Sequence, residues 1–406
     1  MKNIACLLFD RVLAQVKSLE FIRKHKTAPQ YFTRRSPLGF FKTALIVINM
    51  VKKASKVEIM SFFNQYNKEF HEELLSPSRQ ALSQAREKIS YSAFKDFFEQ
   101  SCEMAVNAED ARLYKGYRLW AFDGTSFIVG PMGKLHEFFG KSTTTEGNAM
   151  CRINAVVDVL CGCIVDAVVA PFATGERALA LEQLRKLSAV SNALLLFDRG
   201  YWSPELVNMI IRHGQKFLMR IASTNVKAVA RGFDLRLFSF TLPSGEKEFL
   251  LTNLSPDEVS DDELSGLYTK RWGIETKYLE LKSRLELDRF SGESQNIVLQ
   301  DIYSALFISN LLAFICYDTD EMINEQIADR DLRYDQKTNR AEALALLRMR
   351  FIELCLMDSA YRREHAWKRL YQDLCRCKTS VKKSKPCPRN KHLLKNNRKS
   401  YSKSFL

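Results

Sequence analysis

Residues 193–202, ALLLFDRGYW, decide the fold class of this chain. An unbroken apolar run has no polar face to turn to water, so it reads as a strand buried on both sides, as in the middle of an α/β sheet. It stops at Asp198, and Ser203-Pro204-Glu205 then caps a helix. Upstream, residues 118–129, RLWAFDGTSFIV, repeat the pattern, an apolar run broken by Asp123-Gly124. Between the two lie RINAVVDVL (152–160) and IVDAVVAPF (164–172), β-branched runs joined by a turn at Cys161-Gly162-Cys163. A helical stretch, Glu176 to Ser188, follows them. Strand, hairpin, helix, strand and helix in that order predict an α/β core with a mixed sheet.

On the N-terminal side, residues 1 to about 112 read as a helical region. Residues 55–58, SKVE, form a capping-box pattern, and Ser76-Pro77 reads as a cap with proline in the first turn. The next helix, SRQALSQAREKI (78–89), is expected to expose Arg79, Gln80, Gln84, Arg86 and Lys88. Arg79 and Arg86 are therefore candidate DNA contacts, although on this segment alone an ordinary solvated helix face is the favoured reading.

On the C-terminal side, residues 216–254 are β-rich (FLMRI, LRLFSFTL, EFLLTNL), which predicts an insertion between the α/β unit and its closing helix. Ser255-Pro256-Asp257-Glu258 is expected to open a helical region running past Leu285. The domains expected are a helical DNA-binding region over 1–112, a catalytic domain over 113–350 and a helical, basic region over 351–406. The apolar stretch 302–317 carries Ser304, Ser309 and Asn310 and is short of the roughly 20 residues of a membrane span, so it reads as a buried helix.

The 406 residues are 46% apolar, enough for a sizeable core, and carry a net charge of +14. Eleven Lys or Arg and no Asp or Glu fall between Arg376 and Leu406, so this tail supplies most of the excess. A basic arm of that kind suits a polyanion such as DNA, with strong salt dependence. The ten cysteines include no C-x-x-C pair, and Cys375, Cys377, Cys387 and His392 fit no standard zinc spacing. A reduced, cytoplasmic and nucleoid-associated prokaryotic protein is the simplest expectation.

Three acidic residues stand where chemistry would be expected. Asp123 and Asp198 end strands, and sites in open α/β sheets gather at the carboxyl ends of strands. Glu275 lies in YTKRWGIETKYLELK (268–282). Each advance along a helix turns about 100°, so with Tyr268 at 0° Arg271 falls near 300°, Glu275 near 340° and Lys282 near 320°. One face, an arc of roughly 60°, thus holds a carboxylate, two cations and a tyrosine. Glu280 falls near 120°, off that face, and Asp158 and Asp166 lie within the hairpin strands. Taken singly, each acid has an ordinary explanation as a turn residue or an ion pair.

The spacing Tyr268-x2-Arg271-x3-Glu275-x6-Lys282, with Asp123 in FDGTS and Asp198 in FDRGY, resembles the signature of the insertion-sequence-4 family of DDE transposases. The resemblance covers about residues 75 to 350. It implies an RNase H-like catalytic core in which Asp123, Asp198 and Glu275 hold two Mg²⁺ or Mn²⁺ ions, and in which Tyr268, Arg271 and Lys282 bind DNA near the cleaved end. It implies cleavage of transposon ends and joining of the 3′-hydroxyl to target DNA; because cleaving two ends requires synapsis, a homodimer in the synaptic complex is expected. In some relatives an aromatic residue of the insertion grips a displaced base during a hairpin step. Here the aromatics of 216–254 are Phe217, Phe233, Phe238, Phe240 and Phe249, with no Trp. Two other readings fit the same residues: a catalytically idle DNA-binding regulator, and a stand-alone nuclease.

Overall fold

The computed structural model describes residues 3–34, 36–49, 55–130, 133–140, 147–242 and 245–381. The basic tail beyond Val381, with Cys387 and His392, lies outside them.

The described strands are β1 (Arg118–Gly130), β2 (Ala149–Asp158), β3 (Cys163–Pro171), β4 (Ala193–Phe197), β5 (Lys216–Ile221), β6 (Arg236–Thr241) and β7 (Lys247–Thr252). They form one seven-stranded sheet in the order β3-β2-β1-β4-β5-β7-β6. β1, β4 and β5 run parallel, while β2, β3, β7 and β6 are antiparallel to their neighbours. β4 sits at the centre, and all five of its residues are buried, as its apolar run predicts. This mixed sheet with flanking helices is an RNase H-like α/β core.

The strand expected to begin an insertion is instead part of the central sheet. β5 pairs in parallel with β4, Leu194 opposite Lys216 through Phe197 opposite Met219. The β6–β7 hairpin then extends the same sheet from β5. An apolar run such as FLMRI does not reveal its pairing partner.

Six helices precede the sheet among the described residues: α1 (Ile4–Lys17), α2 (Leu19–His25), α3 (Phe40–Asn49), α4 (Ser55–Phe70), α5 (Arg79–Glu87) and α6 (Ser92–Val106). Later come α7 (Gly133–Phe139), α8 (Glu176–Leu187), α9 (Pro204–Arg212), α10 (Val226–Gly232), α11 (Asp261–Thr269), α12 (Gly273–Leu279), α13 (Gln295–Ile327), α14 (Arg340–Leu356) and α15 (Ala360–Arg376). A short pair, β8 (Gln336–Thr338) and β9 (Lys378–Ser380), closes the described chain. α13 is 33 residues, longer than expected, and its apolar window is wholly buried by α1, α3, α6, α14 and α15. The N-terminal helices therefore share the hydrophobic core of the sheet.

Not every helix begins where its sequence signal places it. Ser203 caps α9 through the Leu206 N–H at 3.2 Å, as expected. The cap of α5 is Ser78, accepting from the Ala81 N–H at 3.1 Å, and not Ser76. Ser255 and Glu258 close a reciprocal turn, but α11 starts only at Asp261, behind a capping box of Ser260 and Glu263. The Cys161-Gly162 turn is held by the Asp158 carboxylate, which accepts from the Leu160 and Cys161 N–H groups, and Gly162 takes φ +71°.

Candidate active site

The parallel register of β1 and β4 positions the two aspartates. Ala121 stands opposite Leu196, so Asp123 and Asp198, each two residues further on, lie at the same level. Asp198 follows the end of β4, but Asp123 does not end its strand as expected, because β1 runs on to Gly130 against β2. Adjacent strands are about 4.8 Å apart. The rings of Phe122 and Phe197, one residue earlier, stack with centroids 4.6 Å apart.

Glu275 arrives from α12, which continues α11 after a 3₁₀ turn at Lys270–Trp272 and passes into a π turn over Glu280–Arg284. The helix is thus not ideal, yet its expected face does meet the sheet. The Tyr268 hydroxyl donates to Asp198 Oδ1 at 3.3 Å. Arg271 donates to Glu275 Oε1 at 3.2 Å and interacts electrostatically with Asp198 and Asp123. Lys282 donates to Thr125 Oγ1 at 2.6 Å, with its ammonium 4.9 Å from the Phe127 ring centroid. Three carboxylates remote in sequence therefore lie within electrostatic range of one guanidinium, Glu275 in direct contact with it.

Tyr268 and Arg271 point inward. Their exposures are 6% and 5%, and Arg271 Nε is buried without a hydrogen-bond partner among the described residues. A cation held so deeply is a counter-ion to carboxylates before it can grip a phosphate. Burial of Asp123 pushes its carboxyl up to about 6, against the opposing pull of Arg271 and the Gly124 N–H. Nearby Glu176 and Glu275 add to the rise. Burial also holds the Tyr268 phenol well above its usual range.

The oxygen donors of Asp123, Asp198 and Glu275 match the preference of hard divalent cations, and a cation would relieve the buried Asp123 charge. Among the described residues, no three acidic, His or Cys side chains are gathered closely enough to hold a metal as they stand. The carboxylates are turned to protein cations and hydroxyls: Asp198 to Tyr268 and Arg220 (3.9 Å), and Glu275 to Arg271.

Several participants escaped the sequence reading. Arg220, on β5, also grips Glu248 of β7 in a bidentate pair. Glu176 opens α8 and lies against the backbone that follows Asp123. A Cβ on Gly124 would stand 2.7 Å from Glu176 Cδ, so a larger residue there would push the Glu176 side chain aside. Glu176 was legible only as a first-turn acid.

Other expectations were corrected or placed. Arg86 is not on an exposed face. It is 2% exposed and ion-paired to Asp301 at 2.8 Å, with Gln300 on its Nε, because α5 turns this side toward α13. Arg79 is exposed. Glu280 is buried between Lys277 (2.9 Å) and Arg340 (2.6 Å), away from Glu275's partners. Asp158 serves the hairpin turn, and Asp166 pairs with Lys186.

Residues 114–311 match the family model described as Transposase DDE domain. A curated relative described as "Putative transposase for insertion sequence element IS4SA", from Synechocystis sp., is 25% identical over 141 residues, 30% of this chain. The chain spans 41% of that relative's length. In three dimensions the chain is similar to piggyBac transposase, solved by cryo-electron microscopy in a synaptic complex with hairpin DNA. The TM-score is 0.50 at 8% identity, over 96% of this chain and 88% of that one, a likeness of fold. Residues 114–311 of this chain are thus similar to a transposase DDE domain.

Proposed function

We propose that this protein is a metal-dependent DNA transposase that cuts the ends of its element and joins the freed 3′-hydroxyl to target DNA. The observation that carries the reading is that Asp123 and Asp198 lie level on adjacent strands while the Glu275 helix reaches them through Tyr268, with Arg271 within electrostatic range of all three carboxylates. Two divalent cations held by the three carboxylates would polarise a water or 3′-hydroxyl and stabilise the leaving oxygen.

The protein's own side chains prepare that centre. Arg271 balances the carboxylates, Tyr268 and Arg220 orient Asp198, and Lys282 sits at the rim where a phosphate would enter. Arg271 reaches a phosphate only when Glu275 turns elsewhere, so its DNA contact belongs to the loaded state. Placement and charge of this kind are what phosphoryl transfer needs. Arg79, with Lys56, Ser78, Gln80 and Ser83, lines a cleft of about 880 Å³ that, among the described residues, no carboxylate lines. Such a surface suits the DNA backbone. Two ends must be brought together, so the active species is at least a dimer on DNA.

The test uses full-length protein, DNA carrying the sequences that flank its gene, and a supercoiled plasmid. Joined products are expected with Mg²⁺ or Mn²⁺ and should vanish in Asp198→Ala while DNA binding persists. Cutting without joining would mark a stand-alone nuclease. Equal products from Asp198→Ala would remove Asp198 from the site.

A further inference from the structure

We propose that Tyr201 and Tyr278 are paired positioning residues, docking the segments of Asp198 and Glu275 onto one short piece of β2, residues 153–155. Each tyrosine follows its carboxylate by three residues, and each is buried, at 1% and 6% exposure. Residues three apart on a helical turn lie on neighbouring faces, so the hydroxyl's position fixes the carboxylate's.

The receiving segment lies directly beside Asp123. In the β1–β2 register Asp123 faces Ala155, Gly124 faces Asn154 and Thr125 faces Ile153. The Tyr278 hydroxyl donates to the Asp123 carbonyl at 2.6 Å, with the Ile153 carbonyl at 3.4 Å, and accepts the Ala155 N–H at 3.2 Å. It therefore joins both strands at the level of the first aspartate. The Tyr201 hydroxyl donates to Asn154 Oδ1 at 2.7 Å. Asn154 is fully buried and held in turn by Gln183, which also donates to Asp166, the partner of Lys186. Every member of this relay is satisfied, which makes it stiff.

Three residues of β2 thus set the relative positions of three carboxylates on separate elements. A shift of about 1 Å in such a constellation can cost on the order of 100-fold in rate. Buried tyrosines often need only some acceptor for the hydroxyl. The distinguishing consequence is that these two hydroxyls matter to cation binding beyond their share of stability.

The inference rests on the metal reading above, so the test reads metal binding directly. Mn²⁺ binding to full-length protein is followed by electron paramagnetic resonance, with thermal unfolding alongside. Tyr317→Phe is the control, since the Tyr317 hydroxyl makes a comparable 2.6 Å bond to the Asp110 carbonyl away from the site. Tyr278→Phe and Tyr201→Phe are each expected to weaken an Asp198-dependent Mn²⁺ site about 10-fold, while Tyr317→Phe leaves it unchanged. If one tyrosine variant fails to fold, the other carries the comparison. Equal Mn²⁺ affinity in folded Tyr278→Phe, Tyr201→Phe and Tyr317→Phe would overturn the positioning role. Failure of the unaltered protein to bind Mn²⁺ would overturn the metal reading and this role with it, an outcome told apart because no variant is involved.

Discussion

Phe122 and Phe197 stack 4.6 Å apart, and each is followed by an aspartate of the candidate site. The ring pair is fully buried, so it locks the end of β4 to the middle of β1 where their shared register ends. Asp123 and Asp198 inherit that alignment. Glu275, in contrast, depends on how α11 and α12 lie across the strand ends, and Tyr268 is the contact that ties them to Asp198.

Tyr268→Phe removes that contact and little else. A hydrogen bond to a charged group contributes about 1.5–3 kcal/mol. If this stabilisation is used to hold Asp198 in place, cleavage slows by roughly 10- to 100-fold. Single-turnover cleavage should show the loss with DNA affinity preserved. Wild-type cleavage by Tyr268→Phe would place the Asp198 orientation elsewhere, on Arg220.

Two glutamates five residues apart should separate function from stability. Glu280 is 4% exposed and serves Lys277, Arg340 and Ser309. Breaking a buried pair on one side typically costs about 3–5 kcal/mol. Glu280→Ala should therefore lower stability in chemical denaturation by that order. Glu275→Gln should leave the denaturation midpoint nearly unchanged and abolish cleavage and joining. The opposite assignment of effects would mean the helix face has been misread.

Asp123 predicts a pH signature in metal-free protein. Its carboxyl stands at about 6 in the fold against 3.8 ordinarily, chiefly through burial. Between those values the folded state binds more protons than the unfolded one. Stability therefore falls as pH rises from about 4 through 6, and the full penalty is present above it. Asp123→Asn should melt higher than the unaltered protein at pH 8 with chelator present, and the gap should close towards pH 4. A constant gap across that range would contradict the buried, strained charge.

Much of this arrangement was legible in sequence because it follows from local periodicity. ALLLF could only be a doubly buried strand, and the one-face spacing of Tyr268, Arg271, Glu275 and Lys282 survived both the 3₁₀ and π interruptions of the helix. What escaped depended on pairing between remote segments. Nothing in FLMRI shows that Lys216 lies opposite Leu194, so β5 was set apart from the sheet it completes. Arg220 and Tyr278 matter through partners on other strands, which alternation does not identify. Arg86 failed for the same reason. Its partner Asp301 is 215 residues away, and a guanidinium in a nine-residue polar helix reads as solvated until α13 is laid against it.

The two arginines of α5 make the last prediction, because they should now behave differently. Arg86 is buried, with Asp301, Ser291 and Gln300 as partners, so Arg86→Ala leaves an uncompensated carboxylate inside the protein. A loss of about 3–5 kcal/mol is expected in urea unfolding. Arg79 is exposed in a cleft without acidic lining, so Arg79→Ala should change stability by no more than about 0.5 kcal/mol. If Arg79 meets a phosphate, its removal weakens DNA binding at every sequence and reduces the salt slope by about one. Titrations of the two proteins against the same duplex at several salt concentrations decide the matter. An unchanged slope for Arg79→Ala would move the DNA path off the α4–α5 cleft.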